Sequence, residues 1–288
     1  MSKPAGYVIY RGPSQLDGAP IVAIATMKSD NCKTGNMVQT WILRDDASPV
    51  ETSKAGADAS ICGDCKHRWS LGGACYVNIG QGPGSVYRAY KRGNYPDATA
   101  VLASIGGNRT VRLGAYGDPA AVPIEVWRAI LTHARGHTGY THQWRNPTAA
   151  PLRSLCMASV DTEAEYAAAQ RAGWRTFRVR CTDDDTVMPR EFECVSDTKG
   201  TACADCRACD GTARGPGQAS VFITVHGSLK SRFPRMDALC ERQANAAWAE
   251  YDWVEGPAYA EYDRVRGPAR AEYERVQART FSQLFTGV

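Results

Sequence analysis

One stretch, 155–181, limits this chain to a small set of folds. Residues 155–160 form a short apolar run suited to a strand. Thr162 and Glu165 follow with the T-x-x-E spacing of a capping box, which starts a helix by satisfying its free N–H groups. An alanine-rich helix then runs to Gly173, a residue suited to the left-handed position that ends helices. Residues 174–179 read as a second strand. A strand that returns through a helix pairs in parallel with its predecessor, because antiparallel neighbours need only a tight turn.

Further strand-like runs lie at 21–27, 37–43, 111–116 and 220–226, and helix-like runs alternate with several of them. In 122–135, Val122, Val126, Ile130 and Ala134 share one helical stripe, and Pro123 suits a first turn. The expected fold class is α/β, a complete or partial (β/α) barrel-like body with parallel strands, with a doubly wound sheet as second choice.

Two domains are expected, a metal-binding α/β body at 1–235 and a helical C-terminal tail at 236–288. The tail repeats with a period of 11: Ala249-Glu250-Tyr251-Asp252 returns at 260–263 and, ending in Glu274, at 271–274. Val254, Val265 and Val276 keep step. Eleven residues make three helical turns, so Tyr and Val hold one stripe, while Gly-Pro at 256–257 and 267–268 interrupts the helix. Such a tail suits self-association or a protein partner through 249–281, or packing along its own body.

Hydrophobic residues make up 43% of the chain, enough to bury a core, yet no apolar run reaches the length of a membrane span. No secretory signal is legible, so no membrane partner and a cytoplasmic location are expected. A net charge of +4 is too mild to announce nucleic-acid binding. Arginine outnumbers lysine by 26 to 8. That bias suits phosphate contacts, but a GC-rich coding sequence produces it equally.

The chain holds 11 cysteines, an odd count, and in a reducing compartment clustered thiols hold metal more often than they form disulfides. The first group is Cys62-x2-Cys65, with His67 nearby and Cys75 beyond. With His67 it makes a Cys3His zinc site; without it, a three-thiolate site. A cubane iron–sulfur cluster held by three thiolates leaves one iron open to a substrate or to S-adenosylmethionine. The second group is Cys203-x2-Cys206-x2-Cys209, the run of bacterial ferredoxins, whose fourth ligand comes from elsewhere. Cys194 is the nearest candidate and Cys181 the next. Four thiolates at 194, 203, 206 and 209 also suit a zinc knuckle. Cys32, Cys156 and Cys240 stand alone and read as buried free thiols.

Loops after strand C-termini build the sites of parallel α/β folds. That rule singles out Asp118, His142 and His226 as substrate-binding candidates, with Gly117 letting a ligand approach the backbone. Asp118 could instead cap the next helix, and a lone histidine is often a hydrogen-bonded rim residue. The loop 31–36 contains Lys33-Thr34 but lacks the spacing of a phosphate-binding loop. Signatures of serine hydrolases, zincins and zinc deaminases are absent from the sequence.

Four blocks, Asn31-Cys32-Lys33-Thr34-Gly35, Ile61–Cys65 through Cys75-Tyr76-Val77-Asn78, Gly114–Pro119 and Cys203–Gly211, occur in that order. Together they resemble a family of cysteine-rich proteins of unknown function encoded by bacteriophages and prophages, over about residues 20–230. The resemblance implies a phage context rather than a reaction. A looser likeness is to radical-SAM-type iron–sulfur barrels, resting on Cys62, Cys65 and Cys75, the α/β body and the later cysteine group. The spacing C-x3-C-x2-C common there is absent here.

The leading expectation is therefore a phage-type iron–sulfur enzyme acting on a small molecule, a nucleotide or a nucleic-acid base. Its first cluster would do chemistry, and its second would transfer electrons or hold the fold. The alternative is a zinc-stabilised module that binds nucleic acid or protein without catalysis.

Overall fold

The computed structural model describes residues 4–181, 186–215 and 217–233, which belong to a compact unit spanning Met1–Asp237. The expected tail at 236–288, its contact stretch 249–281 and Cys240 lie outside the described residues.

Nine strands form one sheet: β1 (Gly6–Pro13), β2 (Pro20–Thr26), β3 (Val38–Arg44), β4 (Thr110–Tyr116), β5 (Gly136–Thr141), β6 (Met157–Val160), β7 (Thr176–Arg180), β8 (Glu191–Glu193) and β9 (Ser220–Thr224). Their order is β1-β2-β3-β4-β5-β6-β7-β9-β8. The first three pair antiparallel, and every later neighbour pairs in parallel. Ile21, Val22, Ala23, Ile24 and Ala25 are all fully buried, the pattern of a strand covered on both faces.

From β3 to β7 the spatial order equals the chain order. Right-handed crossovers taken in sequence place successive connections on the same face, and over β3 to β7 the direction does not reverse as it does at the centre of a doubly wound sheet; it turns back only at the edge, where β9 lies between β7 and β8. The doubly wound alternative is thus set aside. The edge strands β1 and β8 do not pair with each other among the described residues, so no closed barrel is formed there.

The crossover anticipated in 155–181 is present. Helix Glu163–Arg171 joins β6 to β7, and Ala158 pairs with Thr176. Thr162 Oγ1 accepts the Glu165 N–H at 3.1 Å, but the Glu165 carboxylate takes the N–H of Asp161, at 2.7 Å, rather than that of Thr162. Gly173 follows with φ +79°. The helix expected over 122–135 is shorter, Ile124–Leu131, with Pro123 as its N-cap and Trp127 and Ile130 buried. Among the described residues no helix is long and apolar enough to cross a membrane.

Two buried ion pairs brace the parallel end. Arg178 grips Glu191 through Nε and Nη2, with Nη2 to Oε2 at 2.8 Å. Arg175 Nη1 donates to Asp210 at 2.8 Å and to the Gly211 carbonyl at 2.6 Å, and its Nη2 reaches the Ala208 carbonyl at 2.9 Å. That second arginine ties the end of the second cysteine group to the sheet.

Candidate functional site

The first cysteine group sits on a loop closed by glycine. Helix Ala59–Cys62 ends at Gly63, whose φ of +56° is a left-handed value. A Cβ at this position would run into the side chain of Gln143, whose Nε2 donates to the Cys62 carbonyl at 3.2 Å. The turn between Cys62 and Cys65 therefore requires glycine. The Asp118 N–H donates to the Ile61 carbonyl at 2.6 Å, which fixes this turn against the loop after β4. Downstream, the buried Asp58 carboxylate accepts the Ser70 N–H at 3.0 Å, and the Cys75 N–H reaches the His67 carbonyl at 3.1 Å.

Lys66 and His67 anchor the same loop to the end of β6. Asp161 accepts from Lys66 Nζ at 2.9 Å and lies 2.6 Å from His67 Nε2. Burial alone would raise the Asp161 carboxyl; the neighbouring His67 and Lys66 outweigh it and hold the carboxyl down at about 2. One nitrogen of His67 is thus engaged, and its ring stacks on Phe233 with centroids 5.0 Å apart. The other ring nitrogen of His67, Nδ1, is buried with no hydrogen-bond partner, and His67 lines the same cavity as Cys62, Cys65 and Cys75. Burial pushes all three thiols up, and Cys62 is raised further by Cys65 and Cys75.

The second group is assembled from distant parts of the chain. The Cys203 and Ala204 N–H groups donate to the Lys33 and Thr34 carbonyls, each at 3.0 Å. The Cys209 carbonyl accepts the Gly139 N–H from β5 at 2.9 Å, and the Cys194 N–H donates to the Phe222 carbonyl of β9 at 2.9 Å. Burial drives the Cys209 thiol up to about 12; the Tyr140 hydroxyl opposes this, while Cys194, Cys203 and Cys206 add to it. Cys194 thus stands with the other three. The loop 31–36 is a strut for this group, with Lys33 Nζ paired to Asp197 at 2.7 Å. Of the solitary cysteines, Cys156 is buried as anticipated, whereas Cys32 is exposed.

Both groups open onto one cavity of about 290 Å³ over the C-terminal ends of the parallel strands. Its lining includes Cys62, Cys65 and Cys75 from the first group and Cys194 and Cys203 from the second. Between them stand Arg112 and Tyr116 of β4, Tyr140 of β5, Phe177 of β7 and Ile223 of β9.

The three substrate-binding candidates also line this cavity, with different freedoms. Asp118 is saturated by the protein. It accepts from Thr141 Oγ1 at 2.7 Å, the His142 N–H at 2.7 Å and the Ala120 N–H at 3.0 Å, so its capping role prevails. Burial raises its carboxyl to about 6. Burial likewise lowers the His142 ring to about 4, leaving a neutral imidazole near neutral pH. His226 is exposed at the rim, 6.0 Å from the Tyr76 ring. Gly117 lines the cavity as well; a Cβ there would strike Ile42 at 2.7 Å and its φ is +82°, so the position requires glycine.

Sequence reading passed over Arg112, Asp161 and the aromatic walls. A charged residue between Val111 and Leu113 of an otherwise apolar strand was the signal for Arg112. Among the described residues, no three His, Cys, Asp or Glu side chains are gathered tightly enough to enclose a single metal ion. No protein-family model, curated protein or solved structure matches the chain.

Proposed function

We propose that this protein is an iron–sulfur enzyme whose substrate, a small molecule or nucleotide, sits in the cavity between two cysteine-ligated clusters. The observation that carries the reading is the shared cavity: thiols from two groups more than 100 residues apart in sequence line the same walls. A purely structural zinc site is closed and has no reason to face a ligand cavity. Cys62, Cys65 and Cys75 would hold one cluster, and Cys194, Cys203, Cys206 and Cys209 the other. A cluster held by three thiolates supplies an iron open to an exogenous ligand, S-adenosylmethionine being one that the looser family likeness suggests.

The chain's own residues set the surroundings of that chemistry. Asp161 fixes the first loop through Lys66 and His67, and Arg175 fixes the second through Asp210. Tyr116, Tyr140 and Phe177 keep the space between the groups largely apolar, which excludes water from reactive species. The sequential parallel order of the sheet supports a partial (β/α) barrel as its three-dimensional form, and the phage context follows from the family resemblance.

Isolation of the full chain without oxygen tests this. The protein should be brown and hold iron and acid-labile sulfide in two sets. Cys65→Ala should remove one set and Cys206→Ala the other. A colourless protein with stoichiometric zinc overturns the reading in favour of a binding module.

A further inference from the structure

We infer that Arg112 is an anion-binding residue of this cavity and that the substrate presents a carboxylate or phosphate group to it. The inference rests on the cavity reading and names the substrate's chemical class.

The charged groups around the cavity are almost all matched. Lys33 is held by Asp197 at 2.7 Å. Asp161 has Lys66 and His67, and Asp118 has three hydrogen-bond donors. Arg112 is the exception. No carboxylate pairs with it among the described residues, and its hydrogen-bond partner is the Tyr76 hydroxyl, which takes Nη2. Its Nε is buried with no partner.

Nε and Nη2 form the edge of a guanidinium that grips an oxyanion through two parallel bonds. The same chain uses this edge elsewhere, Arg178 on Glu191 and Arg44 on Asp46. In Arg112 that edge belongs to a residue lining the cavity and carries only a phenol, from a tyrosine that is 56% exposed. A guanidinium whose Nε is cut off from water and that has no carboxylate is costly in a protein unless something anionic completes it. The aromatic walls around it suit the organic remainder of the ligand.

A rival role for Arg112 is as counter-charge to Cys203, whose thiol burial pushes up against the opposing pull of Arg112. The test separates the two. Cluster-loaded full-length protein is titrated with inorganic phosphate, pyrophosphate and malonate, and binding is read by calorimetry beside iron content. Wild type should bind at least one probe. The phosphate and malonate arms show whether phosphate or carboxylate is preferred. Arg112→Gln should weaken binding at least about tenfold with iron unchanged, and Arg112→Lys should fall between, as expected for loss of a bidentate fork.

Equal binding by wild type and Arg112→Gln overturns the inference, as does a wild type that binds none of the probes. Loss of iron in Arg112→Gln assigns the arginine to the thiolates instead. Arg112-dependent binding by a protein that takes up no iron would sustain the anion site while removing the iron–sulfur reading.

Discussion

Substituting Asp161 by Asn tests how the first cysteine loop is held. In the folded protein the Asp161 carboxyl stands at about 2 against an ordinary 3.8. That difference, at about 1.4 kcal/mol per pH unit, amounts to about 2–3 kcal/mol of stability at neutral pH. Breaking a buried pair by removing one partner costs about 3–5 kcal/mol in other proteins. Here Lys66 keeps Glu165 at 3.9 Å, so the lower value is the appropriate expectation.

The sign also follows. A depressed carboxyl contributes its full stability above its unfolded pKa and loses it as pH falls toward the folded one. Urea unfolding of wild type and Asp161→Asn should therefore differ by about 2–3 kcal/mol at pH 7, with about half of that difference gone by pH 3. A gap below about 0.5 kcal/mol at pH 7, or one that does not shrink by pH 3, would refute the anchoring role.

Arg175→Met should cost about 3 kcal/mol, the low end for breaking a buried pair because Arg214 still holds Asp210 at 2.6 Å, and iron analysis should show loss from the 194–209 set with the 62–75 set retained. Gly63→Ala should destabilise by more than about 2 kcal/mol, since it combines a left-handed φ with a clash against Gln143; thermal unfolding reads this. Thr162→Ala should remove about 1 kcal/mol, measurable by urea unfolding, through the lost N-cap bond to Glu165.

The parallel part of the fold is legible where apolar runs are strong. Strands β2, β3, β4, β7 and β9 fall within a residue or two of the expected limits; β2 buries on both faces, whereas β7 alternates, with Thr176, Arg178 and Arg180 buried and Phe177 and Val179 lining the cavity. The strand of 155–160 starts late, at Met157, because Leu155 closes the preceding 3-10 turn through its N–H to Leu152. Strand β5, Gly-His-Thr-Gly-Tyr-Thr, carries no apolar run and is held by its neighbours β4 and β6. Three-residue β8 exists because Glu191 meets Arg178. Strand β1, rich in Tyr, Val and Ile, went unread despite a clear strand composition.

In the site, cysteine spacing identified the thiols themselves. It could not show that they converge on one cavity, because convergence depends on pairing between segments that share no local pattern. The role of His67 was hidden for the same reason: its partner Asp161 lies 94 residues away.

The strut between the loop 31–36 and the second cysteine group has a consequence for how the protein is made. Lys33 and its partner Asp197 are 164 positions apart, while the first cysteine turn closes within a few residues. A ribosome therefore releases the segment 59–75 long before the segment 194–209 leaves the exit tunnel. Contacts of such long range form late and slowly. During synthesis the strut waits without its partner, and the first thiol set stands complete while the second has not yet been made.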